Sequence, residues 1–242
     1  MVLSMALVDR YRSGEHAEVW QELMAVGERV RSRDFLTDAQ GVADETMRRA
    51  RRNVEKLVNL LPGLGWTFAR PIQGQPGYAV YSPSEDKQHD EIEQLERELG
   101  GPVPLSIATW WRVVGSVDFT RRPGSGPPVE YPDPLVVLPP SAVLDELAEW
   151  KEEQEYGETH PAFLAPLAPD SFHKEDVSGG APYVIALPNP ACDADVLNME
   201  RSFTFVAYLR HAFSWAGLPG YGEVFSRPPP EIVAIAAQLE PL

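Results

Sequence analysis

One cysteine, Cys192, stands in a chain of 242 residues. A lone thiol excludes an intramolecular disulfide and any multi-cysteine zinc site, and it fits a reducing compartment. Histidine is scarce as well. His16, His89, His160, His173 and His211 never take the i, i+4 spacing that sets two imidazoles on one helix face for zinc. "DADVLNME" supplies Asp193, Asp195 and Glu200 but lacks the central glycine and alternating ligands of a calcium loop. "GLPGYG" and "GVADETM" lack the strand-to-helix glycine pattern and the lysine of a phosphate loop. "PGSGP" gives its serine no strand to leave, so it is no nucleophile elbow. No apolar run approaches the roughly 20 residues of a membrane helix. The opening "MVLSMALVDRYRSGEH" has too short an apolar patch for a secretion signal and no basic residue before it. The expectation is a cytoplasmic chain off the membrane, with no metal or organic cofactor and no small-molecule ligand indicated.

Positive charge is thin over most of the chain. Residues 1–75 carry 11 Lys and Arg against 10 Asp and Glu, whereas residues 76–242 carry 10 against 26, a net of −16. An acidic two-thirds argues against nucleic acid, whose phosphates need cations to displace their counterions. The same surplus favours fast encounter with a basic protein. Arg48, Arg49, Arg51 and Arg52 sit near Glu45 and Glu55 and read as the solvated face of a helix.

What is abundant is helical periodicity. "GEHAEVWQELMAVGERVRSR" places Val19, Leu23, Val26 and Val30 on one stripe. "TDAQGVADETMRRARRNVEKLVNLLPG" opens with Thr37 and Gln40 in capping-box relation, continues the stripe through Met47, Ala50, Val54, Leu57 and Leu61, and stops at Pro62-Gly63. "GWTFARP" and "GYAVYS" are short strand-like runs. An acidic helix follows with Ile92, Leu95 and Leu99 inward, then a Gly-Gly-Pro-Val-Pro stop. A second helix over 105–114 puts Leu105, Ala108, Trp111 and Val114 on its inner side, leaves Trp110 facing elsewhere, and ends at Gly115. "LVVLPPSAVLDELAEWKEEQEY" reads as strand, corner and helix. "AFLAPLA" and "YVIALP" read as strands, the second central. Phe203, Val206 and Phe213 march along a helix closed by Gly217 and Pro219, and a last helix begins near Pro230. Strands and helices without regular alternation indicate an α+β fold, a mostly antiparallel or mixed sheet covered by helices.

Candidate chemistry is confined to "FHKEDVSGGAPY", residues 172–183. This segment offers an imidazole, an ammonium and two carboxylates ahead of a buried strand. It reads either as a catalytic loop or as a turn in which Asp176 and Ser178 bond their own backbone and the glycines take positive φ. The turn is the preferred reading, because His173 and Asp176 in a Gly-rich loop do not secure an oriented base. Cys192, small and flanked by apolar residues, reads as packing.

Taken in order, "IEQLERELGGPVPLSIATWWRVVGSVDF" resembles the signature of the SUKH superfamily, which takes in bacterial immunity proteins and fungal cell-wall-assembly regulators. The residues that carry the resemblance are Gly100 and Pro104 at the step between helices, Trp111 in the aromatic helix and Gly115 at its end. Tyr208, Trp215 and Gly217 carry it in the later stretch "FTFVAYLRHAFSWAGLPG". The resemblance covers roughly residues 66–225 and implies an α+β domain over 65–242, with residues 1–64 as a helical extension. It further implies a protein without catalytic residues that binds other proteins. The expected function is neutralisation of a toxin, plausibly a basic nuclease, by direct binding; a regulatory or scaffold protein of the same fold is the alternative, and an enzyme using the 172–183 loop a distant third. Trp110, Asp118, His173, Lys174, Asp176 and Asp195 are the candidate protein-contact residues.

Overall fold

The computed structural model describes residues 6–69, 79–156, 162–224 and 227–242. The fold is α+β. Helices α1 (Leu7–Arg12), α2 (His16–Val26) and α3 (Arg33–Leu60) come first, with a 3-10 turn over Gly27–Arg31. Val19, Leu23 and Val30 are buried as the spacing predicts, and so is the α3 stripe from Ala39 to Leu57. The capping box expected at Thr37 and Gln40 is absent, because α3 begins earlier, after an extended Ser32. Asp38 instead accepts the Leu7 and Val8 amides at 2.8 and 3.2 Å and so caps α1. Gln40 reaches the Thr109 hydroxyl at 2.9 Å.

Strands β1 (Tyr81–Pro83), β2 (Gly115–Asp118) and β3 (Val136–Val137) form an antiparallel sheet with Tyr81 opposite Val117 and Val117 opposite Val137. Strands β4 (Phe163–Ala168) and β5 (Tyr183–Leu187) pair antiparallel, as do β6 (Asp195–Val196) and β7 (Phe203–Thr204). A backbone bond from Leu138 N to the Leu167 carbonyl and a reciprocal pair between Val184 and Leu197 link the three pieces. β5 therefore has neighbours on both edges. Within "GWTFARP", Phe68 forms an antiparallel bridge with Arg121, with the Ala69 amide donating to the Thr120 carbonyl and the Thr67 carbonyl accepting the Arg122 amide; residues 70 and 71 lie outside the described residues. Within "GYAVYS", Gly77 and Tyr78 also lie outside them.

Helices α4 (Asp86–Leu99), α5 (Leu105–Val113), α6 (Pro140–Glu155), α7 (Phe205–Ser214), α8 (Tyr221–Val224) and α9 (Pro230–Ala236) cover these strands. Gly100 ends α4 in the left-handed conformation, and Pro104 precedes the first turn of α5. Gly115 has φ 102° and lies so close to β1 that a Cβ there would fall 2.1 Å from the Ser82 carbonyl oxygen. Only glycine permits that approach. Phe203 belongs to β7 rather than to the helix expected there, because Thr204 is extended and caps α7 by accepting the Ala207 amide. Tyr208 is fully buried and Trp215 nearly so, while Gly217 takes φ 82° in the turn after α7.

Trp110 requires a correction. Expected to face outward, it is as completely buried as Trp111 and packs edge-on against Phe205 at 5.6 Å. The helix has no outward face over this stretch, since Ser106, Ile107 and Thr109 are buried too. Asp193, the acid of the calcium-like run, is likewise internal. It accepts the Ser106 hydroxyl at 2.6 Å and the Val206 amide at 3.1 Å, tying the first turn of α5 to that of α7.

Contacts cross residue 64, the expected end of the helical extension. One apolar core runs from Tyr11 through α3 and the strands to Leu242. Polar ties cross the boundary as well: Arg31 donates to the Val103 carbonyl, Arg210 to the His16 carbonyl, and Asn53 exchanges two hydrogen bonds with the Glu240 backbone. Arg52 pairs with the Glu240 carboxylate and Lys56 donates to the Gln238 carbonyl. The segment after α9 is thereby fastened along α3.

Candidate functional site

The loop between β2 and β3 carries the sequence Tyr-Pro-Asp-Pro, and its Asp133 is held at φ 46°. Gly220 makes this possible. Its amide donates to the Pro132 carbonyl at 2.9 Å, and a Cβ on it would lie 2.1 Å from the Tyr131 carbonyl oxygen. From the other side comes the 3-10 turn His173–Glu175, which follows β4. Lys174 points inward from it. Its ammonium donates to Asp133 Oδ1 at 2.6 Å and lies 4.7 Å from the centre of the Tyr183 ring, while the Tyr183 hydroxyl donates to Asp133 Oδ2 at 3.1 Å. The Lys174 side chain is 0% exposed. Burial, then the Asp133 charge, pushes the Tyr183 hydroxyl far above its usual range.

Asp133 and Tyr183 form part of the wall of a cavity of about 230 Å³, which Tyr131, Phe172, Phe203 and His211 line with rings. The two ends of this site are pinned by a second buried ion pair. Arg121 grips Glu175 through Nε and Nη2, donates to the Ser125 and Val129 carbonyls, and lies over the Trp66 ring at 5.2 Å. It thereby fixes both the proline-rich loop and the 3-10 turn.

Asp170 organises the start of that turn. Its carboxylate accepts the Phe172 and His173 amides at 2.7 and 3.1 Å and meets His173 Nδ1. Burial alone would raise this carboxyl, but the hydrogen bonds from His173 and the two amides outweigh it and hold Asp170 below its usual 3.8. A depressed carboxyl contributes stability that is present above the unfolded value and is lost as pH falls through the folded one. Asp170→Asn is therefore expected to be less stable than the wild type near about pH 6, with the gap closing below 3.8. Urea melts at several pH values check this, and a constant gap would contradict it.

Chemically, the arrangement is a braced turn. His173 is half exposed and lies outside the lining of this cavity, and the Asp170 carboxylate behind it orients its imidazole. Lys174 is expected as a contact residue, but its ammonium is spent on Asp133 and sealed from solvent, which corrects that expectation. Asp176 is exposed at φ 61° and closes the 3-10 turn through its amide. Asp118 accepts the Thr120 amide and hydroxyl in a local turn, and Asp195 is exposed on β6. Of the six expected contact residues, the structure brings together only His173, Lys174 and Asp176. The Cys192 thiol is buried and pushed up to about 12, by burial first and by Asp193 second, which disfavours the thiolate. Among the described residues, no group of three or more His, Cys, Asp or Glu is placed to hold a metal ion, and no helix is long and apolar enough to cross a membrane.

The most concentrated charge lies elsewhere, on α4 and α6, which pack side by side. Together they carry 12 Asp and Glu against 3 Lys and Arg, a net of −9. Lys151 bridges the helices to Glu98 at 2.9 Å, and Lys87 is taken by Glu91 at 3.0 Å. Asp90, Glu93, Asp145, Glu146, Glu149 and Glu152 are exposed. By contrast, Arg48, Arg49, Arg51 and Arg52 are all engaged with carboxylates, as a solvated helix face would be. No family model, no curated protein and no solved structure matches the chain.

Proposed function

We propose that the chain is a non-enzymatic protein-binding module of the immunity type, one that meets a basic protein, a toxin domain such as a nuclease, in the cytoplasm. The observation that carries this reading is the net −9 on two adjacent helices. Acids spread for solubility would be dispersed, whereas acids on two packed helices sum their fields over one face. The likeness of the 90–119 stretch to the SUKH signature supports the same reading. The alternative, a scaffold that docks through its N-terminal helices, is less favoured because the apolar face of α3 is already consumed by the core. The enzyme reading loses ground with Lys174 sealed against Asp133.

The test is kinetic. Once a partner is captured from the native host, stopped-flow association is measured over a range of salt. At physiological ionic strength screening acts over about 8 Å, so k_on is expected to fall steeply with added salt while k_off changes little. Neutralising Asp90, Glu93, Glu146 and Glu149 is expected to slow k_on by about tenfold or more at low salt. A k_on indifferent to salt and to these changes overturns the reading.

A further inference from the structure

We propose that the groove between α6 and β4 seats an arginine side chain of the basic partner. This rests on the reading above and names the contact that the acidic face presents. Glu146, Glu149 and Glu153 follow one another at helical spacing along α6 and line a groove of about 210 Å³. Its apolar wall is Trp150, Phe163 and Leu164, with Trp150 edge-on to Phe163 at 5.8 Å. Every ionisable group in this lining is a carboxylate.

Three features select the occupant. Leu164 is 46% exposed, although its neighbours on β4 are mostly buried, so apolar surface is left for a partner's methylenes. Glu146 and Glu149 form no ion pair among the described residues, so their charge is available to a newcomer. The indole of Trp150 offers the best ring for a cation. A guanidinium suits this combination better than an ammonium, because its plane stacks on an indole while its N–H groups fork to carboxylates. The volume is that of one long side chain rather than of a whole helix.

The test uses the full-length chain and a blocked tetra-arginine peptide, with tetra-citrulline as the uncharged counterpart. The readout is the indole N–H signal of Trp150 by NMR, assigned with Trp150→Phe. Arginine peptide is expected to shift this signal saturably and citrulline peptide to leave it in place. Glu149→Lys, inside the groove, is expected to weaken binding about tenfold, whereas Glu93→Lys, the same charge change on α4, weakens it by less than about threefold. Leu164→Ser, at an exposed wall position, gives a second variant and is also expected to bind more weakly. A Trp150 signal that does not respond to arginine, or equal losses from Glu149→Lys and Glu93→Lys, overturns the groove. Equal losses would still leave the acidic face attracting cations, so the groove can fail while the binding reading stands; a salt-indifferent k_on with the captured partner removes that reading instead.

Discussion

Trp110→Ala and Trp111→Ala are each expected to lower the unfolding free energy by about 3–5 kcal/mol, the range for a large aromatic removed from a packed core. Helical phase alone predicts an asymmetry, with Trp111 inward and Trp110 spared. Both rings are 0% exposed, so both substitutions leave a cavity the size of an indole. The asymmetry reappears in a milder change. Trp111 donates its indole N–H to the Leu138 carbonyl at 2.9 Å, joining α5 to the end of β3, whereas the Trp110 N–H is buried with no acceptor among the described residues. Trp111→Phe removes a formed hydrogen bond, and Trp110→Phe removes a donor that gains nothing. The phenylalanine variant at 111 is therefore expected to be the less stable of the two by about 1 kcal/mol. Urea denaturation followed by far-ultraviolet circular dichroism measures all four variants; a clearly milder Trp110→Ala would contradict the burial.

The second large effect is expected at Lys174. Lys174→Met keeps the length of the side chain but leaves Asp133 buried without its counter-ion, a change that costs about 3–5 kcal/mol. Asp133→Asn made in the same chain is expected to recover most of that loss, because asparagine tolerates the positive φ and carries no charge to strand. The double variant read against both singles gives the coupling directly. Additive losses would mean that the two groups do not depend on each other, contrary to their 2.6 Å contact. Because the pair also holds the 3-10 turn against the Pro-Asp-Pro loop, the single variant is expected to expose the loop to proteolysis sooner than the core.

How far the sequence could be read depended on whether the signal was local. The α3 stripe, the acidic helix α4, the strands β4 and β5 and the tight glycine at 115 all declare themselves within a few residues, through period or through a required conformation. Trp110 did not, because α5 is buried all round and a buried helix has no phase to read. Phe203 did not, because β7 is two residues long and its partner β6 is set by tertiary contact. The site was the least legible part. Lys174 and Asp133 are 41 positions apart, and Ser106 and Asp193 are 87 apart. Nothing in either neighbourhood names the other, although an aspartate fixed between two prolines was the one available hint. The acids of α4 and α6 were plain in the sequence, and only their adjacency had to come from the fold.

The fastening of the last residues along α3 bears on how the protein is made. Asn53 meets Glu240, 187 positions later. On a ribosome adding about 5–20 residues per second, that interval is about 10–40 s, during which α3 exists without the tail that satisfies one of its buried amides. The helix is made early and is completed only by residues that follow it at long range. Native structure cannot simply accumulate from the amino end here; the early helices wait, partly clothed, for a closing strap. Folding of this region therefore finishes only after residues 238–240 have been made, so the order of synthesis and the order of folding part company here.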